Sequence, residues 1–187
     1  KQVRAIKMKK IRGIVENARA AALYFEAFPP EERAPWLLLA KKARNANVDN
    51  WGIYADGRFA GLMYVVNHAD LSYVFYFAVK KDFRGTGLGD RALKLARKHY
   101  AGRRFFLAIE SLDPAADNYD ERVKLRDFYL RGGLLPMGMN VQEGSVVYEL
   151  LGCGGKVAAK EYSALIAEYL GKTLFRGVTM RILPPEK

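Results

Sequence analysis

The run Arg84-Gly85-Thr86-Gly87-Leu88-Gly89 has the residue types of an anion cradle. A glycine-rich turn that opens a helix presents unpaired backbone N–H groups and the positive end of the helix dipole to a ligand. Glycine lets that backbone approach a bulky phosphate without a Cβ in the way. Arg84 adds a fixed positive charge. A tight strand-to-helix turn also uses glycine for geometry alone, but three alternating glycines behind an arginine exceed that need. A nucleotide P-loop requires four residues between Gly and Gly-Lys-Ser/Thr, and that pattern is absent. A dinucleotide fingerprint requires Gly-x-Gly-x-x-Gly. Gly85 and Gly87 supply its first two positions, but the third is Asp90. Glu110 lies about 20 residues further on, at a strand end, as that fingerprint asks. The dinucleotide reading is therefore the runner-up for the turn. It fails on spacing, on position along the chain, and on the single parallel unit available to it.

Other reactive side chains form no constellation. His68 and His99 are far apart with no ligand spacing, and Cys153 sits in Gly152-Cys153-Gly154-Gly155 without a base nearby in sequence. Neither a metal site nor a cysteine nucleophile is expected. Trp51 is expected in the core.

The elements that must position the turn follow from periodicity and punctuation. Residues 2–9 read as a strand, and 12–28 as a helix stopped by Pro29-Pro30, since proline disfavours helical geometry in the residue before it. Residues 31–45 read as a second helix. Trp51–Tyr54 is a short strand, and Asp56-Gly57 is a hairpin signal. Residues 58–66 and 71–79 are further strands. The second of these, Leu71-Ser72-Tyr73-Val74-Phe75-Tyr76-Phe77-Ala78-Val79, is almost continuously apolar, as in a strand covered on both faces. Tyr73 and Tyr76 point to opposite faces of it. After the turn, Leu88, Ala92, Leu95, Ala96 and His99 fall on one helical stripe. Residues 105–109 form another buried strand, so strand, crossover helix and strand make a right-handed parallel unit. A helix follows at about 117–131, closed by Gly132-Gly133. Strands near 134–141 and 145–151 complete the pattern. Within the tail, 161–170 reads as a helix and 174–183 as a strand.

Composition sets the outer limits. The chain has 187 residues, half hydrophobic, with 11 Tyr, 10 Phe and 2 Trp, so a sizeable core rather than disorder is expected. One cysteine excludes a disulfide framework. No apolar run approaches the roughly 18 residues that span a bilayer. The start has no signal-peptide core, so a cytoplasmic location is expected. The net charge is +11, concentrated in residues 1–12, with six basic and no acidic side chains, and in 80–104, with nine basic and two acidic. Such surfaces attract polyanions, phosphorylated cosubstrates among them.

The residues quoted resemble the GNAT superfamily of acyl-CoA-dependent N-acyltransferases. Its signature is Arg or Gln, two residues, Gly, one residue, then Gly or Ala. Arg84, Gly87 and Gly89 match it in register. Phe77-Ala78-Val79 looks like the family's strand before the loop. Arg126-Asp127-Phe128-Tyr129-Leu130-Arg131-Gly132-Gly133-Leu134 resembles its helix ending in Phe-Tyr. The order of elements matches over roughly residues 3–151. Where many members carry Asn seven residues before the Tyr, this chain has Arg122, and Leu134 stands where Phe is usual.

The resemblance implies an α/β fold with a mixed, mostly antiparallel sheet. It carries one splayed parallel strand pair, here 71–79 and 104–110, and helices on both faces. The acyltransferase domain would span 1–151, with 152–187 an appendage on it. The implied activity is direct transfer of an acyl group from acetyl-CoA, or another acyl-CoA, to a primary amine on a small molecule or peptide. The loop residues Arg84, Gly85, Thr86, Gly87, Leu88 and Gly89, with Phe77, Ala78 and Val79, would bind the cosubstrate. The Val79 N–H would polarise the thioester carbonyl. Tyr129 matches the family's frequent general acid for the departing thiolate, against a structural role packed beside Phe128. Glu110, at the strand end, is the general-base candidate, against a role as partner for Arg122 or Arg126. Glu31 and Glu32 follow the inter-helix break that often borders the acceptor. No metal, membrane or nucleic-acid partner is expected, and a homodimer is compatible. The alternatives are a non-catalytic acyl-CoA-binding module and, from the basic N-terminus, a nucleic-acid-binding protein.

Overall fold

The computed structural model describes residues 3–175 and 179–183. The chain forms two compact units, one of residues 1–67 and 74–99, the other of 68–73 and 100–187. Eight strands run in the order β1-β2-β3-β4-β5-β7-β6-β8. β1–β2, β2–β3, β5–β7, β6–β7 and β6–β8 pair antiparallel, and among the described residues β4–β5 is the one parallel pair. This is the mixed α/β class expected.

The first unit holds β1 (Ile6–Lys10), α1 (Ile14–Ala27), α2 (Trp36–Lys42), β2 (Val48–Ala55), β3 (Arg58–His68), most of β4 (Leu71–Val79) and α3 (Leu88–His99). Phe28 closes α1 in extended geometry, immediately before Pro29. The second helix starts later than expected. Residues 30–32 form a 3-10 turn, and α2 begins only at Trp36, behind Pro35. Pro35 disfavours a helical conformation at Ala34, which splits the single helix that leucine and alanine content suggested. At the hairpin, Asp56 and Gly57 both take positive φ, 48° and 81°, as a two-residue turn between twisted strands requires. The Asp56 carboxylate accepts the N–H of Arg4 and of Ala5, fastening the approach to β1. In α3 the buried residues are Leu88, Ala92, Leu93 and Ala96. The apolar stripe is therefore rotated from the one read in sequence: Leu95 is half-buried and His99 exposed, its ring edge against Trp51 at 5.0 Å. Trp51 is buried, as expected.

The second unit contains the start of β4, then β5 (Arg104–Glu110), α4 (Tyr119–Arg131), β6 (Leu135–Glu143), β7 (Val146–Cys153), α5 (Ala159–Leu170), α6 (Lys172–Phe175) and β8 (Met180–Leu183). Of the strand read over 174–183, only β8 is strand; 176–178 lie outside the described residues. Tyr73 stacks on Phe106 with centroids 4.8 Å apart and planes 3° from parallel. Tyr162 of α5 donates to the Tyr73 hydroxyl at 3.3 Å. Arg104 binds Asp70 on one side and Glu161 on the other, with both carboxylates at 2.7 Å. Gly152 lies where β7 presses on β5. A Cβ there would stand 2.7 Å from the Phe106 Cβ and 2.9 Å from the Phe105 carbonyl oxygen. Among the described residues no helix is long and apolar enough to cross a membrane.

Candidate active site

In the first unit, β4 delivers the chain to the glycine-rich turn. Lys80 still bonds to β3, its N–H donating to the Ala60 carbonyl at 2.9 Å. N–H groups alternate sides along an extended strand, so the Val79 N–H points away from β3. Two reverse steps follow: Phe83 N–H donates to the Lys80 carbonyl at 2.9 Å, and Arg84 N–H to that of Lys81 at 3.0 Å. Side chains then brace the turn through carbonyls. Arg84 Nε donates to the Val79 carbonyl at 3.2 Å, and the Thr86 hydroxyl to the Phe83 carbonyl at 2.7 Å. Gly85 and Gly87 hold φ of 72° and 75°, the left-handed region that L side chains avoid.

The consequence concerns the donors. Among the described residues, no backbone N–H from Gly85 to Asp90 donates to a protein acceptor. Arg91 is the first to bond back, to the Gly87 carbonyl at 3.2 Å. The bracing uses carbonyls and leaves six N–H groups, plus the positive end of α3, for an external acceptor. An anionic diphosphate suits that set.

Not all the positive charge around the turn serves it. Arg91 donates to the carbonyls of Val3 and Arg4. Arg103 donates to Ser72 and to the carbonyls of Ala69 and Leu71. Arg104 is bound by Asp70 and Glu161. Three of the cations counted in the 80–104 stretch are thus structural. A cleft of about 500 Å³ that the sequence did not announce opens between α1 and the β2–β3 turn, with Arg19, Arg58, Lys80 and Glu26 in its lining.

Tyr73 and Tyr76 divide as alternation requires. Tyr73 packs in the core of the second unit. The Tyr76 hydroxyl donates to the Glu32 carbonyl at 3.1 Å and accepts from the Ala34 N–H at 3.2 Å. Tyr76 therefore fixes the segment between α1 and α2 through its backbone. The Glu31 side chain there is exposed and that of Glu32 partly so.

In the second unit, α4 carries Tyr129, which is 6% exposed. Its ring meets Phe128 edge-on at 4.9 Å. Burial alone pushes its phenol pKa well above the usual value, so the hydroxyl keeps its proton at neutral pH. That hydroxyl has no hydrogen-bond partner among the described residues. A purely structural buried tyrosine normally finds one.

Glu110 ends β5 and is partly buried. Asn118 Nδ2 donates to its Oε2 at 3.0 Å, and Arg122 Nε stands 3.2 Å from the same oxygen. The partnership with Arg122 weighed from sequence is present. A second pair lies alongside: Arg126 holds both oxygens of Glu149, at 2.7 and 3.1 Å. Sequence reasoning missed Asn118 and Glu149. Asn118 and Arg122 are four residues apart and so share a helix face, which was a readable signal. Glu149 becomes visible only through the β5–β7 register, which sets it opposite Ile109.

A model of the acetyltransferase (GNAT) family matches residues 15–124, more than half of the chain. The chain belongs to the GNAT acetyltransferase family. It is thereby an enzyme that moves an acyl group from acyl-CoA to an amine. No curated protein sequence matches it. Solved GNAT structures share the fold at low identity. A protein described as a GNAT-family acetyltransferase from Bacteroides thetaiotaomicron is 21% identical, with a TM-score of 0.65 over 91% of this chain and 98% of that one. The ribosomal-protein-S18-alanine N-acetyltransferase of Escherichia coli is 15% identical, with a TM-score of 0.58 over 83% and 97%. An aminoglycoside 6′-N-acetyltransferase solved with coenzyme A is 14% identical, with a TM-score of 0.63 over 80% and 96%. This GNAT acetyltransferase spans almost the full length of each.

Proposed function

We propose that this GNAT acetyltransferase uses acetyl-CoA and acetylates a primary amine on a small molecule or a peptide in the cytoplasm. The observation that carries the cosubstrate assignment is the row of unengaged N–H groups from Gly85 to Asp90. Arg84, Gly85, Thr86, Gly87, Leu88 and Gly89 bind the diphosphate, and Phe77, Ala78 and Val79 bind the pantetheine arm. The Val79 N–H donates to the thioester carbonyl oxygen as charge develops there. The acceptor is an ammonium with a pKa near 10.4, so it must lose a proton before it attacks. Glu110 takes that proton directly or through a water. The amine nitrogen then bonds to the carbonyl carbon and the C–S bond breaks. The leaving thiolate takes the proton of Tyr129, whose hydroxyl is both protonated and free of other bonds, and the tyrosinate regains a proton from the newly bonded nitrogen, which becomes the neutral amide. These catalytic residues lie within 1–151, and 152–187 act as an appendage that supports the second unit.

Thiol release from acetyl-CoA tests the reading against a panel of aminoglycosides, polyamines, amino acids and peptides. Release that one acceptor class raises far above background hydrolysis supports it. Tight coenzyme A binding without amine-dependent release from any class would instead support a non-catalytic acyl-CoA-binding module.

A further inference from the structure

Two arginine–glutamate pairs join α4 to the strands beside it, and they differ in a way that matters for chemistry. Arg126 engages both oxygens of Glu149. Asn118 Nδ2 donates to Oε2 of Glu110, and Arg122 Nε stands 3.2 Å from the same oxygen as its charge partner while giving its hydrogen to Asn118 Oδ1. Among the described residues, Oε1 of Glu110 has no partner. A carboxylate held by one oxygen is fixed in direction while its other oxygen can still accept a proton.

Arg122 is itself fixed by two hydrogen bonds. Arg122 Nε donates to the Asn118 Oδ1 at 2.7 Å, and Arg122 Nη1 donates to the Ser111 carbonyl at 2.8 Å. Asn118 is the residue before α4, so one guanidinium ties the start of that helix to the end of β5. A planar guanidinium with several fixed donors suits this task, and a lysine ammonium does not. Such support sets how well a reacting group is aimed, since misplacement of about 1 Å can cost a hundredfold in rate.

We infer that Arg122 and Asn118 are positioning residues, which clamp Glu110 by Oε2 so that Oε1 faces the incoming ammonium. This rests on the reading of Glu110 as the general base. Arg122 thus has a task toward the acceptor half of the reaction.

A double-mutant cycle on the full-length enzyme tests this, with kcat and both KM values measured. Arg122→Gln is expected to lower kcat/KM for the amine about 10-fold or more while KM for acetyl-CoA changes less than twofold. Arg122→Lys, which keeps the charge but loses the fork, recovers only part of the loss. In a Glu110→Gln background, Arg122→Gln has little further effect, because the group it aims is gone. Asn118→Ala follows the same pattern more weakly. Full additivity of Arg122→Gln and Glu110→Gln, or a loss confined to thermal stability, would overturn the positioning role while leaving Glu110 as base. An unchanged rate in Glu110→Gln alone would instead remove Glu110 from the mechanism, and with it the reading underneath.

Discussion

Replacing Gly87 with alanine separates backbone conformation from steric contact. Gly87 holds φ of 75°, yet an added Cβ would meet nothing within 4 Å. The substitution therefore creates no clash, and its cost is that of a left-handed L residue, about 1–2 kcal/mol. Gly102, in the turn after α3, has φ of 83° and equally open space around its Cβ position. Gly102→Ala carries the same backbone cost at a place with no assigned ligand. Gly102→Ala should lose thermal stability by that amount, and Gly87→Ala by less, to the extent that its free turn relaxes. They should part in coenzyme A affinity. If the turn relaxes away from φ of 75°, its N–H groups lose their common direction. If the whole strain falls on the bound state, affinity drops by about 5- to 30-fold, since about 1.4 kcal/mol is a factor of ten. Calorimetric titration of coenzyme A into wild type, Gly87→Ala and Gly102→Ala reads this directly. Equal affinity in all three, with Gly87→Ala less destabilised than Gly102→Ala because its turn has relaxed, would refute the idea that the turn's conformation holds the diphosphate.

Tyr129→Phe removes one oxygen from a buried site, so coenzyme A affinity should hold while kcat falls about 100-fold, at the lower end of general-acid contributions; an unchanged kcat in thiol release would exclude Tyr129 as the acid. The Arg104 clamp makes a pH-dependent prediction. Its hydrogen bond to Glu161, helped by the Ala158 N–H, holds that carboxyl down at about 2 from its ordinary 4.5, and the same guanidinium lowers Asp70. A depressed folded-state value means stabilisation that is present above pH 4.5 and lost as pH falls toward 2. Wild type should thus melt above Arg104→Gln at pH 7, and the gap should close on acidification through that window. A gap independent of pH would show that Arg104 acts by packing alone.

The site was legible in sequence wherever chemistry is local. The turn 84–89 announces itself because its glycines must take φ that other residues refuse, and Asp56-Gly57 announces its hairpin for the same reason. Pro29 marks the end of α1 correctly, but Pro35 delays the next helix, and α2 begins five residues later than its composition suggests. The α3 stripe was misphased because Leu93 and Leu95 compete for the same description, and only packing against the strands chooses Leu93. The function of the arginines was least legible. Charge counting groups Arg84 with Arg91, Arg103 and Arg104, whereas the fold spends the last three on carbonyls and carboxylates far along the chain. Likewise Tyr129 can be named from its neighbours in sequence, but the absence of a partner for its hydroxyl is a tertiary fact.

The backbone amides of residues 85–90 are the groups that would grip the diphosphate. Backbone amide chemical shifts followed by NMR during titration with coenzyme A measure them one at a time. The resonances of Gly85, Thr86, Gly87, Leu88, Gly89 and Asp90 should shift together and saturate at one shared affinity, as N–H groups do when they begin donating to an anion. Saturable binding that leaves these six unmoved, with the shifts gathered elsewhere, would contradict it.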